Sequence, residues 1–303
     1  MNNDTARNFN RKTIGDYSDT LCCPFYEIGG QRVKGSKSSK DKFKKKLSII
    51  TVVYNGVKFL EDAIKSVISQ KTDEIEYLII DAGSKDGTLD IIRRYEEHID
   101  LWLSQEDKGI YDAFNKGIYL SRGELIKLVN ADDLLVKDSI KMACQYYDKN
   151  KSKHFALYSD LVIIDKHGQY DCTWHLARTS KIFPNFLHPT WYISKNIYSD
   201  FGLYCTDFEV SADYEYYLHL TLNGIKFAQA NSPLAKFRLN GASTSFRGVL
   251  EVFQINKLYF GPGAALQVAI KHALIKIFSR LLRTALGTKY HRIKSIFIPS
   301  KIK

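Results

Sequence analysis

The chain has little that would mark a metal-stapled or secreted miniprotein. Only five of its 303 residues are cysteine, and no two of them form a C-x-x-C pair. Adjacent Cys22 and Cys23, with isolated Cys144, Cys172 and Cys205, offer neither zinc-ligand spacing nor a disulfide framework, so reduced thiols are expected. No run approaches the roughly 18–20 apolar residues of a membrane-spanning helix. The opening MNNDTARNFNRK lacks the apolar stretch of a secretory signal. These absences predict a cytoplasmic protein that is not threaded through a bilayer. No internal repeat is visible. At 45% hydrophobic and 25% charged residues, the composition excludes wholesale disorder and collagen-like structure.

What is present is unevenly distributed. The net charge is +11, but residues 1–46 hold eleven basic against five acidic side chains, and residues 247–303 hold eleven basic against one, Glu251. The stretch between them is net acidic. A compact nucleic-acid-binding domain carries its basic patch on the fold itself, so nucleic acid is not the expected partner. Basic flanks equally suit anionic lipid. Residues 1–46, ending in GSKSSKDKFKKK, read as a largely flexible extension in which Leu21–Ile28 is a stretch suited to docking. Residues 47–246 read as the central folded domain, its second half, 136–246, less regular than its first, 47–135. Residues 247–303 form a basic helical extension.

From Leu47 the hydrophobic pattern alternates between strand and helix. LSIITVVY (47–54) is a β-branched run expected to be buried on both faces. Phe59, Leu60, Ala63, Ile64, Val67 and Ile68 recur at helical spacing. EYLII (76–80) ends at Asp81, and Asp86 is placed to cap a helix through Tyr95. A short strand over 101–103, a helix over 110–120, and ELIKLV (124–129) ending at Asn130-Ala131-Asp132-Asp133 follow. A helix over 136–147 and strands over 155–159, 188–193 and 226–230 are expected, with helices over 212–222 and 264–286. Such alternation predicts an α/β fold with a mostly parallel sheet flanked by helices. In such sheets ligands bind beyond the carboxyl ends of the strands, where Tyr54-Asn55, Asp81, Asp107 and Asp132-Asp133 all fall.

Adjacent carboxylates at a strand end repel, and a few hard oxygen ligands suit Mg²⁺ or Mn²⁺. An isolated Asp pair is more often a turn or helix cap, and it is the strand-end context that favours a cation here. The strand-end set as a whole has the chemistry for a nucleoside diphosphate, with Lys108 as the basic contact and Gly83, Gly87 and Gly109 permitting close backbone approach. A nucleotidyltransferase would instead show a glycine-rich phosphate loop after the first strand, which TVVYNG lacks.

SIITVVYNG, LIIDAGSKDGT, QEDKGIYDAFNKGI, ELIKLVNADD and SADYEYYLHL, in this order and spacing, resemble glycosyltransferase family 2 with its GT-A fold, over roughly 47–245. The likeness is to bacterial enzymes that build capsule, exopolysaccharide and O-antigen, and it implies a catalytic domain over 47–246 with a nucleotide-binding half at 47–135 and an acceptor half at 136–246. The resemblance implies that Thr51, Val53, Tyr54 and Asn55 line a nucleotide-sugar pocket, with Tyr54 against the base and Asp81 reading uracil or ribose. Many relatives carry a second Asp where this chain has Ala82. Asn130-x-Asp132-Asp133 matches the family's Asp-x-Asp region, implying Asp133 and Asp132 as ligands to Mg²⁺ or Mn²⁺ and Asp132 as a donor contact. Asp213 falls at the catalytic base, although an Asp starting a helix also serves as a cap. His188 and Arg238, the latter in FRLNGAST with Ser243, fall on the acceptor side; Asp112 and Asn115 suit helix positioning equally well.

The implied activity is inverting, metal-dependent transfer of a hexosyl or N-acetylhexosaminyl group. The donor is a nucleotide sugar, with UDP favoured, and the acceptor a lipid-linked or oligosaccharide hydroxyl. The alternative is a catalytically degenerate relative that binds nucleotide sugars or glycans.

In the last helix, His272, Lys276, Arg280 and Arg283 share one face, within about 80° at 100° per residue. Ile270, Leu274, Ile277, Leu281 and Leu286 lie around the opposite side. A helix of this kind over 264–286 suits a membrane surface on the inner face of the plasma membrane. It suits packing on protein as well, including another subunit of a homo-oligomer.

Overall fold

The computed structural model of the chain describes residues 11–15, 17, 27–34, 45–175, 187–238 and 247–286. Its centre is an eight-stranded sheet. Strand β1 (Glu27–Gly29) lies at one edge, followed in space by β4 (Leu101–Ser104), β3 (Ile75–Asp81), β2 (Leu47–Val53), β5 (Leu125–Asn130), β10 (Tyr192–Ser194), β7 (Ala156–Tyr158) and β11 (Phe227–Gln229). β4, β3, β2 and β5 are mutually parallel. β2 and β3 are buried along their whole length, as their unbroken apolar runs predict. A smaller sheet orders β6 (Leu134–Leu135), β12 (Ala235–Arg238), β8 (Leu161–Ile164) and β9 (Tyr170–Trp174). The expected mostly parallel α/β architecture is therefore present.

Two hydrophobic layers sandwich the large sheet. On one side α1 (Leu60–Ile68) buries Leu60, Ala63, Ile64 and Val67, beside α2 (Thr88–Arg94) and α4 (Ser139–Asn150). On the other lies α3 (Ile110–Leu120), with α5 (Lys195–Phe201), α6 (Ala212–Leu222) and α7 (Arg247–Phe260). The last helix, α8, runs from Pro262 to Leu286. α3 approaches β2 so closely that a Cβ on Gly117 would stand 2.3 Å from Ile50 Cγ2, so only glycine fits there.

Several expectations change. Asp86 accepts from the Thr88 N–H at 3.1 Å, but Gly87, with φ of 93°, occupies the cap position of α2. The expected strand over 188–193 is a 3₁₀ turn, His188–Thr190, leading into β10, because Pro189 brings no N–H to a ladder. α7 falls in the stretch expected to be a basic helical extension, although no separate helix before Pro262 was assigned there. Parts of residues 1–46 belong to the fold: β1 pairs antiparallel with β4, and Tyr17 is 2% exposed within the core. Arg11 forms a buried ion pair with Glu215 of α6. Cys22, Cys23 and Ser243 lie outside the described residues, as do the basic side chains expected on α8 at 272, 276, 280 and 283. Cys144 and Cys205 are free thiols, and Cys172 is buried in β9.

Candidate functional site

The carboxyl ends of the parallel strands converge as the topology requires. Asp81 pairs in register with Val53 on one side of β2, and Asn130 with Val52 on the other. Strands lie about 4.8 Å apart, so these two positions face each other across β2 at roughly 10 Å. Asp81 is fully buried. Its Oδ2 accepts from the Gly83 and Ser84 N–H groups at 3.0 Å each and from Ser104 Oγ at 2.6 Å. Its Oδ1 is buried with no hydrogen-bond partner among the described residues. Such an orphaned acceptor is costly unless a ligand donor meets it. Asn55, at φ of 49°, anchors the loop after β2: its N–H donates to Ser84 Oγ at 2.7 Å and its Oδ1 accepts from the Lys85 N–H at 3.0 Å. Tyr54 stands 65% exposed beside it. Lys108 is exposed after β4, its backbone N–H donating to Asp112 Oδ2 at 3.2 Å.

Thr51 and Val53 do not send side chains to this edge. Both are buried; the Thr51 hydroxyl meets Tyr77 Oη at 3.0 Å, and Val53 packs in the α1 layer. Strand alternation turns them into the core. His188 is buried as well. Its Nε2 pairs with the Tyr204 hydroxyl at 2.9 Å and its ring packs on Phe114 and Trp191, while burial pushes its pKa down to about 3. These contacts place the imidazole in the core.

Across β2, Asn130 Nδ2 donates to Asp133 Oδ2 at 2.9 Å, and the Arg238 N–H lies 3.3 Å from Asp133 Oδ1. Arg238, 2% exposed, reaches from β12 to donate to the Asp132 carbonyl at 3.2 Å and lies over the Phe59 ring. It braces the acidic loop through these contacts. Burial, and then the neighbouring Asp132 charge, raises the Asp133 pKa; burial likewise raises that of Asp132. Asn130 Oδ1 is buried with no hydrogen-bond partner among the described residues. Two mutually repelling carboxylates and an unsatisfied amide oxygen are hard donors that fit a divalent cation with phosphate and water completing its shell. Among the described residues no group of three or more His, Cys, Asp or Glu side chains forms a self-sufficient metal cage.

Asp213 opens α6, half-buried. Its Oδ1 accepts from the Tyr111 hydroxyl at 3.1 Å and the Tyr214 N–H at 2.8 Å, and burial pushes its pKa up to about 6. Tyr111 lies in the first turn of α3, which begins just after β4, so Asp213 is tied to the same sheet edge as the other carboxylates. The sequence reading missed two supports. Tyr111 also reaches the Val210 carbonyl, and Glu251 of α7 accepts from the Glu209, Val210 and Ser211 N–H groups at 2.8–2.9 Å. The available signal for Glu251 was its isolation as one acid among eleven basic residues.

Residues 48–195 match Glycosyl transferase family 2. This segment belongs to that family. Asp81, Asn130, Asp132 and Asp133 lie inside the family 2 segment, whereas Asp213 and Arg238 lie beyond it. Over 228 residues the chain is 27% identical to the Rickettsia prowazekii protein named uncharacterized glycosyltransferase RP339, covering 71% of this chain and 70% of that one. The fold resembles S. aureus TarS 1–349 in complex with UDP-GlcNAc, with a TM-score of 0.55 at 17% identity over 80% of this chain and 76% of that one. It also resembles the mannosyltransferase PcManGT from Pyrobaculum calidifontis in complex with GDP-Man and Mn²⁺, with a TM-score of 0.56 at 13% identity over 95% and 94%. At those identities the likeness is one of fold, and the fold is GT-A.

Proposed function

We propose that this glycosyltransferase is inverting and divalent-metal-dependent. In this reading it moves a hexosyl or N-acetylhexosaminyl group from a UDP-sugar to a hydroxyl of a lipid-linked or oligosaccharide acceptor. Its place is surface-polysaccharide synthesis at the inner face of the plasma membrane. The observation that carries the reading is the pair of buried, unsatisfied oxygens, Asp81 Oδ1 and Asn130 Oδ1, on either side of β2 at the strand ends of a family 2 domain. Asp81 Oδ1 accepts a hydrogen bond from the base or ribose, Tyr54 covers the base, and Lys108 meets the diphosphate. Asp133 and Asp132, with Asn130 beside them, hold Mg²⁺ or Mn²⁺, which when bound neutralises charge on the departing diphosphate.

Asp213 takes the proton of the acceptor hydroxyl as that oxygen bonds to the anomeric carbon and the bond from carbon to phosphate oxygen breaks. A positioned base of this kind contributes roughly 10²–10⁴-fold. The Tyr111 hydroxyl holds the receiving carboxylate in place. Braced by Arg238, the acidic loop needs little rearrangement before the donor arrives.

Thermal unfolding with UDP-, GDP-, dTDP- and CMP-sugars, with and without Mn²⁺, tests this. A donor at 100 times its Kd stabilises by about 2.7 kcal/mol. The expected result is a Mn²⁺-dependent shift with a UDP-sugar that disappears in Asp133→Ala. A well-folded chain that no nucleotide sugar stabilises would overturn the reading.

A further inference from the structure

Away from the strand-end site, the last two helices carry an apolar face that the fold leaves bare. α8 follows α7 through Gly261 and buries Ala265 and Val268, while Leu266, Ile270, Leu274 and Ile277 are 55, 52, 60 and 55% exposed. At 100° per residue and 1.5 Å rise these four fall within about 80° of arc and run ~17 Å along the helix. Contiguous apolar surface of this kind marks an interaction site.

Charge distinguishes the possible occupants. Residues 247–303 hold eleven basic side chains and a single acid, Glu251, which is buried and engaged with backbone N–H groups. Lys257 and Lys271 are exposed on the same two helices, Lys271 directly after Ile270. A second copy would bring a segment of like net charge against this one, whereas an anionic bilayer attracts it. No described helix is long and apolar enough to cross a membrane, so contact would be made from the surface. We propose that the α7–α8 pair docks on an anionic lipid surface. Leu266, Ile270, Leu274 and Ile277 enter the acyl boundary, and Lys257 and Lys271 lie among the headgroups. This deepens the functional reading by naming how the enzyme meets a lipid-linked acceptor, yet it stands on the helices and not on the sugar-nucleotide site.

The test is sedimentation of the full chain with vesicles of phosphatidylcholine alone and of equal parts phosphatidylcholine and phosphatidylglycerol. Partitioning onto the anionic vesicles is expected to be more than about tenfold stronger and to weaken with salt. Ile270→Asp with Leu274→Asp is expected to reduce it by at least about tenfold. Lys257→Glu with Lys271→Glu should reduce it by about fivefold per charge or more. All four side chains are exposed, so thermal stability should stay near that of the parent, and an unfolded variant is recognised by its circular dichroism. Equal binding to both vesicle types, or binding indifferent to the apolar double variant, overturns the proposal. So does a dimer in light scattering that the apolar double variant dissolves, which would assign the face to a second copy. Vesicle binding by a chain that no nucleotide sugar stabilises would leave the docking standing and remove the functional reading.

Discussion

Burial lifts Asp213 to about 6 from an ordinary carboxylate value of 3.8, so the folded chain holds that proton more tightly than the unfolded chain does. The sign follows from linkage. Protonated Asp213 favours the fold at low pH, that contribution is lost as pH rises through about 6, and the ionised group detracts from stability above it. Asp213→Asn removes the ionisation while nearly keeping the shape. Urea denaturation should find the variant more stable than the parent by about 1–3 kcal/mol at pH 8, with the gap closing below about pH 4. Transfer should be lost in the same variant, and activity of the parent should fall as pH drops through about 6, because a base must be unprotonated to act. A variant that is both inactive and less stable at pH 8 would contradict this account of the carboxylate.

At the level of elements, α6 presents Asp213 in a setting that α7 helps to fix. Three N–H groups in the approach to α6 converge on one carboxylate, Glu251, whose charge also contributes to raising the Asp213 pKa. Glu251→Gln keeps the volume but sets an amide NH₂ where an acceptor stood. It should destabilise by about 1–3 kcal/mol. The acid limb of the pH–rate profile should move to lower pH, a shift that a purely structural role for Glu251 would not produce.

The parallel strands were legible because β-branched runs and helical periodicity report local geometry, and the strand-end acids followed from topology. The inward direction of the Thr51, Val53 and His188 side chains was not legible because a motif gives a position along the chain and not the direction of a side chain. The bounds of α7 and its packing on the core were not legible because its buried polar residues, Glu251 and Asn256, break the amphipathic pattern. Their partners lie about forty positions upstream, in residues 209–214, where local spacing carries no trace of them.

Over the whole molecule, the chain's beginning grips its second half. The Arg11 guanidinium meets both Glu215 oxygens at 2.5 Å and lies over the Tyr216 ring, while Tyr259 donates to the same carboxylate. Glu215 is fully buried, so removing its cation leaves an uncompensated charge. Arg11→Ala should destabilise by about 3–5 kcal/mol, and adding Glu215→Leu should recover much of that loss in chemical denaturation. Tyr17 makes a second tie, its hydroxyl 2.5 Å from Asp112 Oδ1.

The short strand β1 has a different consequence. By pairing Glu27–Gly29 with Trp102–Ser104, it occupies the open edge of β4. A chain lacking only residues 27–29, with Arg11 and Tyr17 still present, would keep every strand of the family 2 segment but bare that row of backbone donors and acceptors, a template for strands of other molecules. The same few residues that look dispensable beside the chemistry therefore act as a guard against self-association, and solubility would register their loss before catalysis did.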